Sequence, residues 1–525
     1  MFEFERCLPE EAGVSSNAIK GLLQYLDKKD IPMHSLLVMR NDKLIFEKYY
    51  APCTENTLHR MFSISKSITA LAISLLADEG RIDLDESIAT YFPEYTSENT
   101  HKWIKDTTIR NMLMMRTCHA STTYKVDMKS DWVESFFTVV PTHKPGTVFH
   151  YDTSAAHVLC ALVEKETKMP MLDYLKEKVL NHLDFSKDSY MVKDPFGVSI
   201  GGSGLVAKPM DILKVLYLLD KKGTVTCSDG IKRTLLNPEF IELATSNLSP
   251  SIMTGPIPSE SMGYGMQIWQ NEKGGFVLYG MGGQLAISIP DYKLLIMTTA
   301  DTQGIAGGNQ VIYDGIYNLL LPAIKNTNVG TTSDSNSIST DSHQDGVTAE
   351  NGSGRTSPYS ELVKYADSLR VSRPRIPGKP NENLTICSSV IQNKLGNQAN
   401  SKSIRLSYKL TENPQKFKEL SLELNETGKS SLILIASDDS DTMTIDFSLS
   451  DMAEGNIKKY DAYYTAGATW LKDNDLYIRV HLIGECVGSI RFELFFGDKD
   501  ITVFMRKVEE TYFNEFNGHL YGELR

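Results

Sequence analysis

The sequence predicts a mixed α/β (α+β) domain, with a central antiparallel sheet and a helical subdomain, followed by an all-β domain. Three observations carry this. Strand-like runs stand at both ends of roughly the first 325 residues with helical patterns between them, a long polar stretch without aromatic residues follows, and beyond it the apolar period changes to two. At 525 residues the chain is too long for one small fold. Its 41% hydrophobic and 23% charged residues match an ordinary globular protein and exclude disordered, collagenous and disulfide-scaffold classes.

The elements follow in order. Runs 35–40 and 44–49 are apolar segments joined at Asn41-Asp42-Lys43, a hairpin signal. Segment 65–79 carries Ala, Leu and Ile at helical spacing, with Gly80 in the stop position. From 84 to 252 helices and loops dominate. Strands return at 276–279, 284–289 and 293–299, and 310–320 reads as a closing helix. Strands supplied from both ends imply one sheet, hence one domain over 1–325.

Residues 326–358 are dominated by Ser, Thr, Asn, Asp and Gly. They bury too little apolar surface to offset their ordering entropy and are expected to form a low-complexity flexible linker. Asn351-Gly352-Ser353 within it fits a glycosylation sequon, idle without a signal peptide. The last domain, 359–525, alternates apolar and polar residues over 403–410, 419–424, 431–436, 442–449, 475–482, 489–496 and 501–506. Short strands at regular spacing point to a barrel or sandwich.

Charge and cysteine content narrow the classes. A net charge of −12 disfavours nucleic acid, whose binding needs clustered Lys and Arg. The seven cysteines are scattered, odd in number and never form C-x-x-C, so free thiols in a reducing compartment are expected rather than disulfides or a zinc site. The N-terminus MFEFERCLPEEAG has acids where a secretory peptide needs a basic start, and no run of about 18 apolar residues follows. A cytoplasmic protein without a membrane span is expected.

The strongest local feature is Ser63-Ile64-Ser65-Lys66 at the start of the Ala-rich helix. S-x-x-K arises by chance about two times in a chain this long, yet it occurs once, and at a helix start. There the Ser63 N–H and the positive helix end meet a developing oxyanion, and Lys66 can return along the same face to the Ser63 hydroxyl. For Lys66 to accept a proton near neutrality its pKa must fall from about 10.4 through desolvation or a nearby cation. The bland alternative is an N-cap serine beside a solvated lysine.

A second feature is Tyr151-Asp152-Thr153, reached by a Pro145-Gly146 turn and followed by a helix from about 155 to 165. A tyrosine can shuttle protons, and Thr153 can bond the lysine or the substrate. A third is Tyr279-Gly280-Met281-Gly282-Gly283-Gln284, where glycines open a strand and allow a ligand to approach the backbone, or simply make a tight turn.

In this order the three resemble the motifs of the serine β-lactamase and penicillin-binding-protein superfamily. The resemblance is nearest to the class C β-lactamase-like esterases, D-aminopeptidases and 6-aminohexanoate-dimer hydrolases. Thr108-Ile109-Arg110-Asn111-Met112-Leu113, Gly201-Gly202-Ser203-Gly204-Leu205 and Pro209-Met210-Asp211-Ile212 agree with that subgroup. The resemblance covers about residues 5–325, and the tail looks like the lipocalin-like barrels some of these proteins carry.

It implies a β-lactamase-like transpeptidase fold in which Ser63 is the nucleophile, Lys66 its proton acceptor and Tyr151 the proton shuttle. The oxyanion hole would be the N–H groups of Ser63 and Gly283, with Thr153, Gly280, Gly282 and Gln284 supporting the substrate, and neither cofactor nor metal. The expected activity is hydrolysis of a small-molecule ester or amide through an acyl-enzyme. A weak β-lactamase or D,D-peptidase and a catalytically silent sensor module are the alternatives. The third motif usually carries Lys or His, but here it reads Gly280-Met281-Gly282. A neutral or cationic substrate is therefore favoured over a carboxylate-bearing β-lactam.

Gly197-Val198-Ser199-Ile200-Gly201 formally matches G-x-S-x-G, but its surroundings lack the strand and helix of a nucleophile elbow. His119, His150 and His157 are expected to be structural. The tail is expected to pack near the site mouth and limit substrate size, or to act as an independent ligand-binding barrel.

Overall fold

The computed structural model describes residues 2–254, 257–324, 357–375, 403–425, 428–438 and 441–525. The expected linker therefore lies outside the described residues except for Ser357 and Pro358, and so do the Asn351 sequon and Cys387.

The first sheet is fed from both ends of its region, as the sequence pattern requires. Strands β1 (Met33–Arg40) and β2 (Lys43–Tyr49) form the N-terminal hairpin. Later come β3 (Trp269–Gln270), β4 (Phe276–Gly280), β5 (Gln284–Ile289) and β6 (Leu294–Ala300). The order is β2-β1-β6-β5-β4-β3, antiparallel throughout. Asn41 and Asp42 close the hairpin with φ of 50° and 67°, the left-handed pair a two-residue turn needs and which these residue types tolerate. Every residue of β1, β5 and β6 is buried, so both faces of the central sheet are covered.

Helix α1 (Ser16–Lys28) begins with the Ser15 side chain accepting the Asn17 N–H. Helix α2 (Ile64–Asp78) is apolar nearly all round, and twelve of its fifteen residues are buried, which makes it the central helix of the helical subdomain. It packs against α3 (Thr153–Thr167), whose N-cap is Asp152. Helix α4 (Pro209–Asp220) lies on β1, β5 and β6. The closing helix α5 (Gln310–Gly315) is shorter than expected, because 316–320 continues as a π turn.

Helix α6 (Pro358–Ser368) follows the low-complexity stretch and packs on α1, not on the barrel. Leu362, Ala366, Leu369 and Val371 join the core of the first sheet, and Val371 N–H donates to Ala51 O at 2.9 Å. Residues 359–371, assigned by composition to the β-rich domain, thus share the core of the preceding one.

The remaining strands are β7 (Ser403–Leu410), β8 (Phe417–Asn425), β9 (Ser430–Ala436), β10 (Thr442–Phe447), β11 (Ala453–Ile457), β12 (Ala462–Lys472), β13 (Asp475–Leu482), β14 (Gly488–Phe496), β15 (Asp500–Lys507) and β16 (Gly518–Leu524). Each pairs antiparallel with its sequence neighbour except β10 with β11, and β7 pairs with β16 to join first strand to last. The seam left between β10 and β11 is narrowed by Ala468 N–H donating to Ser448 O and Asp446 N–H to the Tyr464 hydroxyl. The result is a nearly closed ten-stranded barrel. Tyr408, Tyr464, Trp470, Phe492, Phe513 and Phe516 fill its interior as one cluster.

The barrel meets the first domain at one end. Arg60 N–H donates to Gly484 O at 2.9 Å, Gln303 Nε2 to Val487 O at 2.9 Å, and Arg479 pairs with Asp30 at 3.0 Å. No helix among the described residues is long and apolar enough to cross a membrane. Cys7, Cys53, Cys118, Cys160, Cys227 and Cys486 are free thiols.

Candidate active site

Ser63 opens α2 with helical φ and ψ of −70° and −5°, and its side chain does not cap the helix. The hydroxyl instead faces a cavity of about 820 Å³. The preceding Phe62 holds a φ of 45°, uncommon for a bulky residue, and lines the same cavity. Met61 N–H donates to Leu205 O at 2.8 Å, and Leu205 N–H to Ser65 Oγ at 2.9 Å, so the helix start is pinned to the strand Leu205–Ala207.

Lys66 lies one turn along α2, and 1% of it is exposed. Its Nζ is 3.0 Å from Ser63 Oγ and 2.7 Å from Gly202 O. Burial pushes its ammonium from 10.5 down to about 7; Asp152 and Glu510 pull it up, and Lys125 presses it further down. The solvated-lysine alternative is thereby excluded. Gly202 explains part of the Gly201-Gly202-Ser203-Gly204-Leu205 segment: a Cβ there would lie 2.4 Å from Thr153 Cγ2 and 3.6 Å from Lys66 Nζ. Only glycine lets this carbonyl reach the amine.

Tyr151 completes the group. Lys66 Nζ stands 4.7 Å from its ring centroid, and the ring leans on Trp269 and Tyr264 at centroid distances of 5.4 Å and 6.2 Å. Burial pushes the phenol well up, while the neighbouring Ser63 hydroxyl pulls it down. The phenol therefore stays protonated at neutral pH. Thr153 lines the cavity at the first turn of α3, its N–H donating to Thr122 Oγ1 at 3.1 Å.

The third motif divides. Met281 and Gly282 line the cavity, and Gly280 sits where β4 meets the segment before Ser63, a Cβ there falling 2.5 Å from Met61 O. Gly283 and Gln284 are buried and are not part of this lining. A Cβ on Gly283 would meet Ala300 at 2.8 Å and Ile312 at 3.1 Å, and the Gln284 amide bonds Met281 O, Ala300 O and Ala300 N–H. Both take part in the packing of the Met281–Gly283 turn against the sheet.

Sequence reasoning passed over several groups. Asp152, fully buried, is pushed from 3.8 up to about 6 by burial although Ser154 and Thr117 donate to it. Its signal lies in the Tyr151-Asp152-Thr153 string, of which it is the middle residue. Glu260, whose carboxylate accepts the Tyr279 hydroxyl at 2.8 Å, and the barrel residues Val508, Glu509 and Glu510 also line the cavity. No local pattern announces residues brought in from so far along the chain.

The rival serine and the histidines fall elsewhere. Ser199 is buried in a loop bridged to Lys193. His119 Nε2 pairs with Phe136 O at 2.9 Å, and His157 with Asp194 at 3.0 Å, both as buried supports.

The family model described as Beta-lactamase matches residues 18–312, more than half of the chain. The chain belongs to the beta-lactamase family. Among curated proteins, this family member is 27% identical over 218 residues to protein flp of Staphylococcus aureus, a match covering 37% of this chain and 44% of that protein. It is 21% identical over 295 residues to the 6-aminohexanoate-dimer hydrolase of Paenarthrobacter ureafaciens, covering 53% of this chain and 75% of that one. Among solved structures, the octameric penicillin-binding protein homologue of Pyrococcus abyssi aligns with a TM-score of 0.43 at 15% identity, over 96% of this chain and 99% of that chain. The chain spans less than half the length of the flp proteins it matches.

Proposed function

We propose that this beta-lactamase-family protein is a serine hydrolase that cleaves an ester or amide through an acyl-enzyme on Ser63. The observation that carries the reading is the buried Lys66 amine 3.0 Å from Ser63 Oγ at the mouth of a helix start. As the neutral base, Lys66 takes the Ser63 proton while Oγ bonds to the substrate carbonyl carbon. Gly202 O holds one amine hydrogen, which leaves the lone pair to the serine.

The charge on the carbonyl oxygen is met by the N–H groups of Ser63 and Gly283. The bond to the leaving oxygen or nitrogen then breaks, and Tyr151 supplies it with the proton that Lys66 collected. Water next attacks the acyl carbon; its proton returns through Tyr151 and Lys66 to Ser63 Oγ as the acid departs. Thr153, beside Gly202, orients the substrate near the amine. Gly280-Met281-Gly282 offers no cation to a substrate carboxylate, which favours this reading over β-lactam hydrolysis.

The test is intact mass after incubation with a fluorophosphonate. A single adduct that disappears in Ser63→Ala is expected; no adduct, or one that survives the substitution, would remove Ser63 from the role.

A further inference from the structure

The barrel supplies part of the wall around Ser63. Loop 508–510 leaves β15 and turns over the cavity, and it is firmly built. Val508 N–H donates to Ser489 O at 2.7 Å, Glu509 Oε2 accepts the N–H groups of Thr511 and Tyr512 at 2.8 Å and 2.6 Å, and Lys507 Nζ donates to Tyr512 O at 2.5 Å. The backbone that carries Glu510 is therefore fixed by hydrogen bonds on both sides of it.

Three carboxylates line the cavity, and they differ in occupation. Glu260 holds the Tyr279 hydroxyl and Glu509 holds the two amides of its own turn. Glu510 is exposed and, among the described residues, takes part in no hydrogen bond or ion pair. It lines the same cavity as Ser63 and Tyr124, and its charge pulls both Lys66 and Tyr124 up. Lys125 is the one cation of this lining among the described residues, and Gly280 stands where the third motif usually carries a cation that would offset the acids. The cavity is negatively poised at its mouth, with one carboxylate uncommitted.

We infer that Glu510, contributed by the barrel, is a specificity residue of the Ser63 cavity that selects esters and amides carrying an ammonium group. The inference rests on the acyl-enzyme reading above. An ammonium near Glu510 gains a charge-assisted hydrogen bond, whereas a carboxylate there meets like charge. Because the pair is exposed, the gain is that of a surface ion pair and weakens with salt.

The experiment uses the full chain and two series of p-nitrophenyl esters and amides, with an ammonium, methyl or carboxylate group on the acyl chain in one and on the leaving side in the other. In at least one series kcat/KM for the ammonium compound is expected to exceed that for the methyl compound about fivefold at low salt, and the excess to shrink as salt is raised. Glu510→Gln is expected to bring that ratio near one, and Glu510→Lys to invert it toward the carboxylate compound. Equal ratios in the natural protein and both variants, or a uniform loss on all three compounds, would overturn the inference while leaving the acyl-enzyme reading in place. No turnover of any compound above a Ser63→Ala control would overturn both.

Discussion

Replacing Lys66 by Met separates catalysis from stability in one measurement. The side chain is 1% exposed, and burial lowers its ammonium from 10.5 to about 7. That difference corresponds to about 5 kcal/mol of cost for holding the charged form inside. Below about pH 7 the amine is charged in native and unfolded chains alike, and the full cost remains. Between about pH 7 and 10.4 the unfolded chain holds the extra proton, so this group's contribution to stability rises with pH.

From pH 7 to pH 9 the natural protein should therefore gain about 2 kcal/mol relative to Lys66→Met, which has nothing to titrate there. Over roughly 325 residues, at about 2.1 cal/mol/K per residue, that is about 3 °C in melting temperature. The variant leaves Gly202 O without its donor, which costs about 1–3 kcal/mol at every pH and so cancels from the comparison. The assay is near-UV circular dichroism on heating at both pH values, paired with kcat/KM against pH. The natural enzyme should lose activity tenfold per pH unit below about 7, and Lys66→Met should be inactive throughout. Identical pH dependence of melting in the two proteins, or an activity limb near pH 10, would refute a neutral lysine base.

Three further outcomes follow from distances and charges at the site. Tyr151→Phe keeps the ring against Trp269 and Tyr264 but removes the proton carrier, so kcat should fall about 10²- to 10⁴-fold with an unchanged circular dichroism spectrum; a loss below tenfold would exclude the shuttle. Gly202→Ala forces a Cβ to 2.4 Å from Thr153 Cγ2, so thermal unfolding should show a loss of about 1–3 kcal/mol together with a drop in kcat/KM. Glu510→Gln removes a charge that raises Lys66, so the acidic limb of the kcat/KM profile should move to lower pH, and a limb that stays or rises would mean the carboxylate does not face the amine.

What could be read in advance was local. Asn41-Asp42 specified a hairpin because those side chains tolerate the left-handed region, and the apolar 65–79 run specified a buried helix because no face of it is polar. Ser63, Lys66 and Tyr151 come together as their motifs implied. Glycine at a strand start signals both backbone approach to a ligand and tight packing, and at Gly283 the Ala300 and Ile312 side chains leave no room for a Cβ. Strands β11, β12 and β16 escaped notice because Gly455, Gly467 and Gly522 interrupt their alternation. Glu509 and Glu510 were illegible for another reason, since their place over the cavity is set by how the barrel end seats on Arg60 and Gln303.

Helix α6 limits how the barrel's contribution can be tested. A chain cut after residue 325 would lose the barrel, but it would also lose Leu362, Ala366, Leu369 and Val371 from the core beneath α1. Exposing the surfaces those side chains cover costs about 1.5–3 kcal/mol for each large one, a sizeable part of the 5–15 kcal/mol that holds a domain together. Lost activity would then report a damaged core and say nothing of substrate choice. A cut after Arg375 keeps that helix yet still opens the interface at Arg60, Gln303 and Asp30. Substitution within loop 508–510 alone leaves both cores intact, because Glu510 projects from a turn whose hydrogen bonds are made by Val508, Glu509 and Lys507. The barrel's role is therefore decided by changing one exposed carboxylate, and by whether the selectivity it alters depends on salt.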